Sequence, residues 1–215
     1  MNKNKYIRVP YGQSIHGKEE IQAVVKVLKS STQMGKNVFN FEKKIAKLFN
    51  KKYGLMVNSG SSAIMLAMES LNLPAGSEVI TPALTFSTTV AYIVKNKLIP
   101  VFVDVDEATY CIDQSKIKNL ISKKTRAIIA PHLIGNIVNW KKLSPLLKKN
   151  NITIIEDSAD TLGAIHKGKS TGHYTDISVT SFYGSHIINC AGNGGIVCFN
   201  NKDQYVKAKL LRSWG

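Results

Sequence analysis

The sequence predicts an α/β domain: a doubly wound, mostly parallel sheet of seven strands sandwiched by helices. Three observations carry that expectation. Short β-branched runs alternate with longer amphipathic stretches along most of the chain. The runs Ile128–Ala130 and Ile152–Ile155 are almost continuously apolar, the mark of strands covered on both faces. Helix-like stretches separate most of the strands, as right-handed β-α-β crossovers require.

Two helices come first, over Lys18–Lys29 and Phe39–Phe49, where apolar residues recur at helical spacing. Leu55–Val57 is then a strand, and Ser61–Leu71 a helix opened by serines. Glu78–Pro82 and Ile99–Val103 are strands flanking a helix over Thr88–Lys95. Ser115–Ile121 and Trp140–Lys149 are the helices on either side of the strand Ala127–Ala130. Ile152–Ile155, Ile177–Phe182 and Gly195–Phe199 complete the strands, and Lys202–Ser213 closes as a helix. The segment IHKGKSTG between them reads as an exposed hairpin-like turn.

The 215 residues, 44% apolar, suffice for one domain with a real core. No apolar run approaches the roughly 18 residues of a membrane span, and no signal-like apolar core follows the basic N-terminus, so a cytoplasmic protein is expected. Cys111, Cys190 and Cys198 form neither a CxxC pair nor a disulfide framework and are expected to be buried thiols; no metal site is predicted. The net charge of +15 invites a nucleic-acid function. However, only Arg8, Arg126 and Arg212 among the 29 basic residues are arginines, and the lysines fall largely in pairs on solvated helix faces. No nucleic-acid or membrane partner is expected; attraction of an anionic small substrate is.

Four motifs sit at strand ends, which a doubly wound sheet gathers at one edge. Asn58-Ser59-Gly60-Ser61-Ser62-Ala63 opens a helix, and its free N–H groups and hydroxyls suit a phosphate, though an ordinary serine cap would look the same. Glu156-Asp157-Ser158-Ala159-Asp160 places acids where a strand leaves the sheet, able to pair with a protonated ring nitrogen or to cap a helix. Ser181-Phe182-Tyr183-Gly184-Ser185-His186 offers hydroxyls and an imidazole base, ahead of a glycine-rich turn at Asn193-Gly194-Gly195. Thr85-Phe86-Ser87-Thr88-Thr89 offers an aromatic ring for stacking.

Taken in order, NSGSSA, TPALTFSTTV, PVFVDVD, the 154–164 segment IIEDSADTLGA and SFYGSH with GNGG resemble the DegT/StrS family, from VPYGQSIHGKEE to LRSWG. The resemblance implies a fold type I large domain that binds pyridoxal 5'-phosphate or pyridoxamine 5'-phosphate and acts on nucleotide-linked keto sugars. By position, Gly60, Ser61, Ser62 and Ser181 match the phosphate site. Phe86 matches the ring-stacking aromatic, Asp157 the partner of the pyridine nitrogen, and Asp160 a further cofactor contact where relatives often carry Gln or His. Residues 1–215 correspond to an N-terminal segment plus the large domain, and the family's smaller C-terminal domain has no counterpart here.

One departure is informative. Family aminotransferases carry the lysine that bonds covalently to the cofactor where this chain has His186. Imidazole cannot hold the cofactor covalently but can move a proton, and the same exchange marks the family's sugar 3-dehydratases. Leu133-Ile134-Gly135-Asn136, Asp160 and Arg212-Ser213-Trp214-Gly215 resemble that branch too. The resemblance therefore implies a lyase with a non-covalently bound cofactor and His186 as catalytic base. It would remove the 3-hydroxyl of a nucleotide-diphosphate 4-keto-6-deoxy sugar in deoxysugar or O-antigen lipopolysaccharide synthesis. It further implies a homodimer, with glutamate or an iron–sulfur reductase partner restoring the pyridoxamine form. The alternatives are a sugar aminotransferase using another lysine (Lys167 and Lys169 being nearest in sequence) and a truncated, non-catalytic binding protein.

Overall fold

The computed structural model describes residues 6–10 and 12–213. The Trp214-Gly215 end of the dehydratase-like motif lies outside them. Two helices, α1 (Lys18–Ser30) and α2 (Lys36–Leu48), lead into β1 (Tyr53–Val57) and α3 (Gly60–Leu71). Next come β2 (Glu78–Pro82), α4 (Ser87–Lys95), β3 (Ile99–Val103), α5 (Ile117–Leu120) and β4 (Thr125–Pro131). A short 3-10 turn at Leu133–Gly135 precedes α6 (Trp140–Lys149) and β5 (Thr153–Asp157). The two-residue strands β6 (Ile165–His166) and β7 (Lys169–Ser170) form the expected exposed hairpin. The chain then runs through β8 (Ile177–Ser181), β9 (Gly195–Phe199) and α7 (Lys202–Arg212).

The main sheet has seven strands in the order β1-β9-β8-β5-β4-β2-β3. All are mutually parallel except β9, which runs against both β1 and β8. The reversal has a local cause. The 182–194 connection holds no helix, and a parallel return would need a crossover to carry the chain back across the sheet.

Alternation along the strands divides the core between the two faces. Ile129, Ile155 and Val179 pack with Ala63, Leu66 and Ala67 of α3. Ile128 and Ile154 pack with Trp140, Leu143 and Leu147 of α6. Ile45 and Phe49, from α2 and its end, join Phe182, Ile196 and Cys198 in a third cluster. The almost continuously apolar runs are indeed covered on both faces, since Ile128, Ile129, Ile154 and Ile155 expose nothing.

Two expectations are corrected. The helix expected over Ser115–Ile121 is a single turn, Ile117–Leu120, preceded by a turn in which the Asp113 carboxylate accepts from both the backbone N–H (2.9 Å) and the hydroxyl (2.6 Å) of Ser115. Cys111 and Cys198 are buried thiols, but Cys190 is only partly so. Among the described residues no helix is long and apolar enough to cross a membrane.

One glycine fixes how sheet and helix meet. Gly195 begins β9, paired with Val57 on one side and Ser181 on the other. A Cβ on it would lie 2.2 Å from Ser59 O and 2.6 Å from Gly60 N, both backbone atoms. Glycine-to-alanine inside a strand ordinarily gains about 0.5–1 kcal/mol. Here overpacking against fixed backbone outweighs that gain, so Gly195→Ala is expected to lose about 2 kcal/mol net. At this chain length that lowers the melting temperature by about 4–8 °C, readable by calorimetry.

Candidate active site

Parallel strands deliver their carboxyl ends to one edge, and β9, running the other way, begins there. The edge therefore gathers Asn58 and Ser59 after β1, Thr85 and Phe86 after β2, His132 after β4, Asp157 at the end of β5, and Ser181 at the end of β8. All four sequence motifs meet at this edge.

Its first component is an anion-binding corner. Ser59 caps α3, its hydroxyl oxygen accepting from Ser62 N–H (3.1 Å). Ser62 in turn donates through its hydroxyl to Asn58 Oδ1 (2.6 Å). The N–H groups of Gly60 and Ser61 head the helix, where no intrahelical acceptor exists for them. Gly60 lies so close to the end of β8 that a Cβ there would stand 2.7 Å from Ser181 Cβ. Ser61 Oγ donates across to Thr88 Oγ1 (3.5 Å) in the first turn of α4. Two helix N-termini and the hydroxyls of Ser61, Ser62, Thr88 and Ser181 thus converge, with partial positive charge from both helices.

The second component is Asp157. Its backbone is clamped on both sides: the His132 N–H donates to Asp157 O (2.9 Å), and the Ser158 N–H to Val179 O (2.8 Å). Alternation puts its side chain on the α3 face, with Ile155 and Val179. The carboxylate is 7% exposed and accepts only the Ala159 N–H (3.1 Å) among the described groups. Burial pushes it up to about 6. The Ala159 bond and the imidazoles of His132 and His186 pull the other way, while Asp160 adds to the push. A buried carboxylate with one hydrogen bond is short of positive charge. Ser158 Oγ and Thr161 Oγ1, buried close by in sequence, lack partners among the described residues.

His186 lies in the loop after β8, its N–H donating to Tyr183 O (2.9 Å) and its ring set edge-on to Tyr183 at 5.9 Å. Its Nδ1 is buried without a hydrogen-bond partner among the described residues. Phe86 caps α4 and is 64% exposed, so its face is open for stacking. The site is ringed by exposed Leu84, Ile134, Tyr183, Ile187 and Ile188.

Asp160 stands at the rim. Its Oδ2 accepts the N–H of Ile134 (3.0 Å), whose φ of 55° places a β-branched residue in the left-handed region. Asp160 and the Leu133–Asn136 turn are therefore in direct contact.

The sequence alone did not show the polar cluster on the opposite face. Val138 N–H donates to His132 Nδ1 (2.9 Å), so the ring proton is on Nε2, which donates to Glu156 Oε2 (2.8 Å). Ser178 donates its hydroxyl to Glu156 Oε1 (2.5 Å). Lys51 donates to Gly172 O, to Thr175 O (2.7 Å) and to Thr175 Oγ1 (3.0 Å); burial lowers its ammonium to about 8 against the pull of Glu156 and Asp176. This cluster holds the ends of β4, β5 and β8 in register beneath Asp157. No local pattern links residues so far apart in sequence. Asn58 and Thr88 were likewise missed, although both lie inside motifs that the sequence exposed.

A chain of this fold and site belongs to the DegT/DnrJ/EryC1/StrS aminotransferase family, which matches residues 14–215. It is 34% identical over 214 residues to the dTDP-4-dehydro-2,6-dideoxy-D-glucose 3-dehydratase of Saccharopolyspora spinosa, covering 96% of this chain and 46% of that one. It is 37% identical over 213 residues to the GDP-perosamine synthase of Escherichia coli O157:H7, covering 98% and 58%. Among solved structures, the E. coli GDP-4-keto-6-deoxy-D-mannose-3-dehydratase with bound hydrated PLP superposes with a TM-score of 0.88 at 31% identity, covering 95% of this chain and 54% of that one. The chain spans about half the length of the curated relatives it matches.

Proposed function

We propose that this chain forms the cofactor-binding half of a pyridoxal/pyridoxamine-phosphate-dependent nucleotide-sugar 3-dehydratase, acting on a nucleotide-diphosphate 4-keto-6-deoxy sugar. The observation that carries this reading is His186. A half-buried imidazole, its Nδ1 without a partner among the described residues, occupies the position that the resemblance assigns to the family's lysine, in the same site as a buried carboxylate that needs a cation.

The residues fit the cofactor. The two helix N-termini with Ser61, Ser62, Thr88 and Ser181 hold a phosphate, and Gly60 lets Ser181 come close enough to share it. Phe86 stacks on the ring. Asp157 keeps a proton on the ring nitrogen, because that cation relieves the cost of its burial. Asp160, whose charge is felt at Asp157, is the further cofactor contact. When bound, the cofactor supplies an amine for the sugar's ketone and an electron sink that lets the neighbouring hydroxyl leave. His186 moves the proton: Nδ1 has no competing partner among the described residues, and an imidazole nitrogen can accept a proton.

A covalent lysine would be required for amination. Lys167 and Lys169 flank the tip of the exposed β6–β7 hairpin, and Lys51 is buried among carbonyls on the far face. We further propose a homodimer in the cytoplasm, whose partner covers the exposed apolar rim. The longer relatives' additional half would supply substrate contacts, and glutamate or a reductase would restore the amine.

The test is spectroscopic and needs no substrate. The chain is mixed with pyridoxal phosphate, treated with borohydride and weighed by mass spectrometry. Saturable binding with no covalent mass gain is expected; a stoichiometric gain of one cofactor would replace this reading with the aminotransferase.

A further inference from the structure

Residues 12–17 are exposed throughout, and the helix they lead into, α1, buries no residue at all. Such a segment has no core to hold it in place. Even so, three separate contacts tie it to a single target, the loop that carries His186. Gly12 lies against Ser185, so closely that a Cβ on it would sit 2.4 Å from Ser185 Cβ. Ser14 donates its hydroxyl to Gly184 O (2.5 Å). His16 Nε2 shares a hydrogen bond with Asn189 Oδ1 (2.7 Å), an oxygen that also accepts the Ala191 N–H (3.1 Å).

We propose that residues 12–16 are a strap that positions the His186 loop, with Gly12, Ser14 and His16 as positioning residues. The contacts bracket the imidazole: Gly184 and Ser185 precede it directly, and Asn189 follows three residues later. The base of the loop is fixed separately, by Phe182 N–H to Gly194 O (2.8 Å) and Cys190 N–H to Phe182 O (3.2 Å). Between those anchors the described loop has one internal backbone bond, His186 N–H to Tyr183 O. The direction of the imidazole therefore depends on what holds residues 184, 185 and 189 from outside, and that is the strap. Gly12 is needed because any side chain there would lift the segment off Ser185. An alanine at residue 12 therefore fails at this contact.

The functional weight of the strap rests on His186 being the base of the proposed reaction, but its existence is tested apart from turnover. Hydrogen exchange across residues 183–190 and the ring resonances of His186 are measured on the 215-residue chain without cofactor. In the Gly12→Ala/Ser14→Ala double variant, exchange in this loop is expected to rise about tenfold, and the His186 ring signals to move, while exchange in β4, β5 and β8 and the melting temperature stay at wild type. Ser14→Thr, which keeps the hydroxyl, is expected to match wild type in both. Unchanged loop exchange and unmoved His186 signals in the double variant would overturn the strap. So would a Ser14→Thr chain as loose as the double variant, because the hydroxyl would then not be the agent. Loss of the dehydratase reading would leave these results in place, so the two failures are distinguishable.

Discussion

Lysine in place of His186 is expected to turn reversible cofactor binding into covalent capture. The replacement places a primary amine at the position that, by resemblance, corresponds to the lysine of the family's aminotransferases. The rest of the site, comprising the α3 and α4 N-termini, Ser181, Phe86 and Asp157, is untouched. His186→Lys should therefore gain one cofactor per chain after borohydride, where wild type gains none. His186→Ala separates holding from chemistry. Cofactor affinity is expected within about threefold of wild type, since no proposed binding group is removed. Removal of the sugar's 3-hydroxyl should fall about 10²–10⁴-fold, the usual worth of a positioned base. Dehydration retained in His186→Ala would take the imidazole out of the reaction. A His186→Lys chain that binds cofactor but is never fixed would mean that residue 186 does not reach it.

Much of this site is legible in the sequence because its elements are local. A strand followed at once by Ser59–Ser62 or by Asp157–Asp160 announces both the element and the edge at which it ends. The order of motifs then carries the family. What the sequence does not expose depends on contacts between distant residues. Glu156 adjoins Asp157 in the chain, yet pleating turns it to the opposite face, where His132 and Ser178 receive it. Lys51 is buried among carbonyls that lie more than a hundred residues further along the chain, and nothing beside it in the sequence announces them. The reversal of β9 follows from a missing helix rather than from anything in Gly195–Phe199 itself. Asp160 and Ile134 each stand out singly, but only the fold joins them.

Replacing Asp157 by asparagine is expected to change stability and cofactor binding in opposite directions. The carboxyl titrates near 3.8 when unfolded and at about 6 when folded. Between those values the folded chain holds more protons than the unfolded one, so stability falls as pH rises from about 4 to about 6. Above that window the ionised carboxylate costs the empty fold about 3 kcal/mol, the equivalent of about two units of pKa difference. Asparagine removes the ionisation. It keeps an oxygen for the Ala159 N–H but buries an amide donor, which offsets about 1–3 kcal/mol of the gain. The robust signature is therefore the slope. Relative to wild type, the melting temperature of Asp157→Asn should climb by about 6–12 °C between pH 4 and pH 7. A protonated ring nitrogen reverses the balance, since the ionised Asp157 then has its cation. Cofactor affinity at pH 8 is accordingly expected to drop about 100-fold in Asp157→Asn, read by titration of the cofactor's absorbance. Parallel melting curves in the two chains would show that Asp157 ionises normally in the fold. Undiminished affinity would show that another group holds the ring nitrogen.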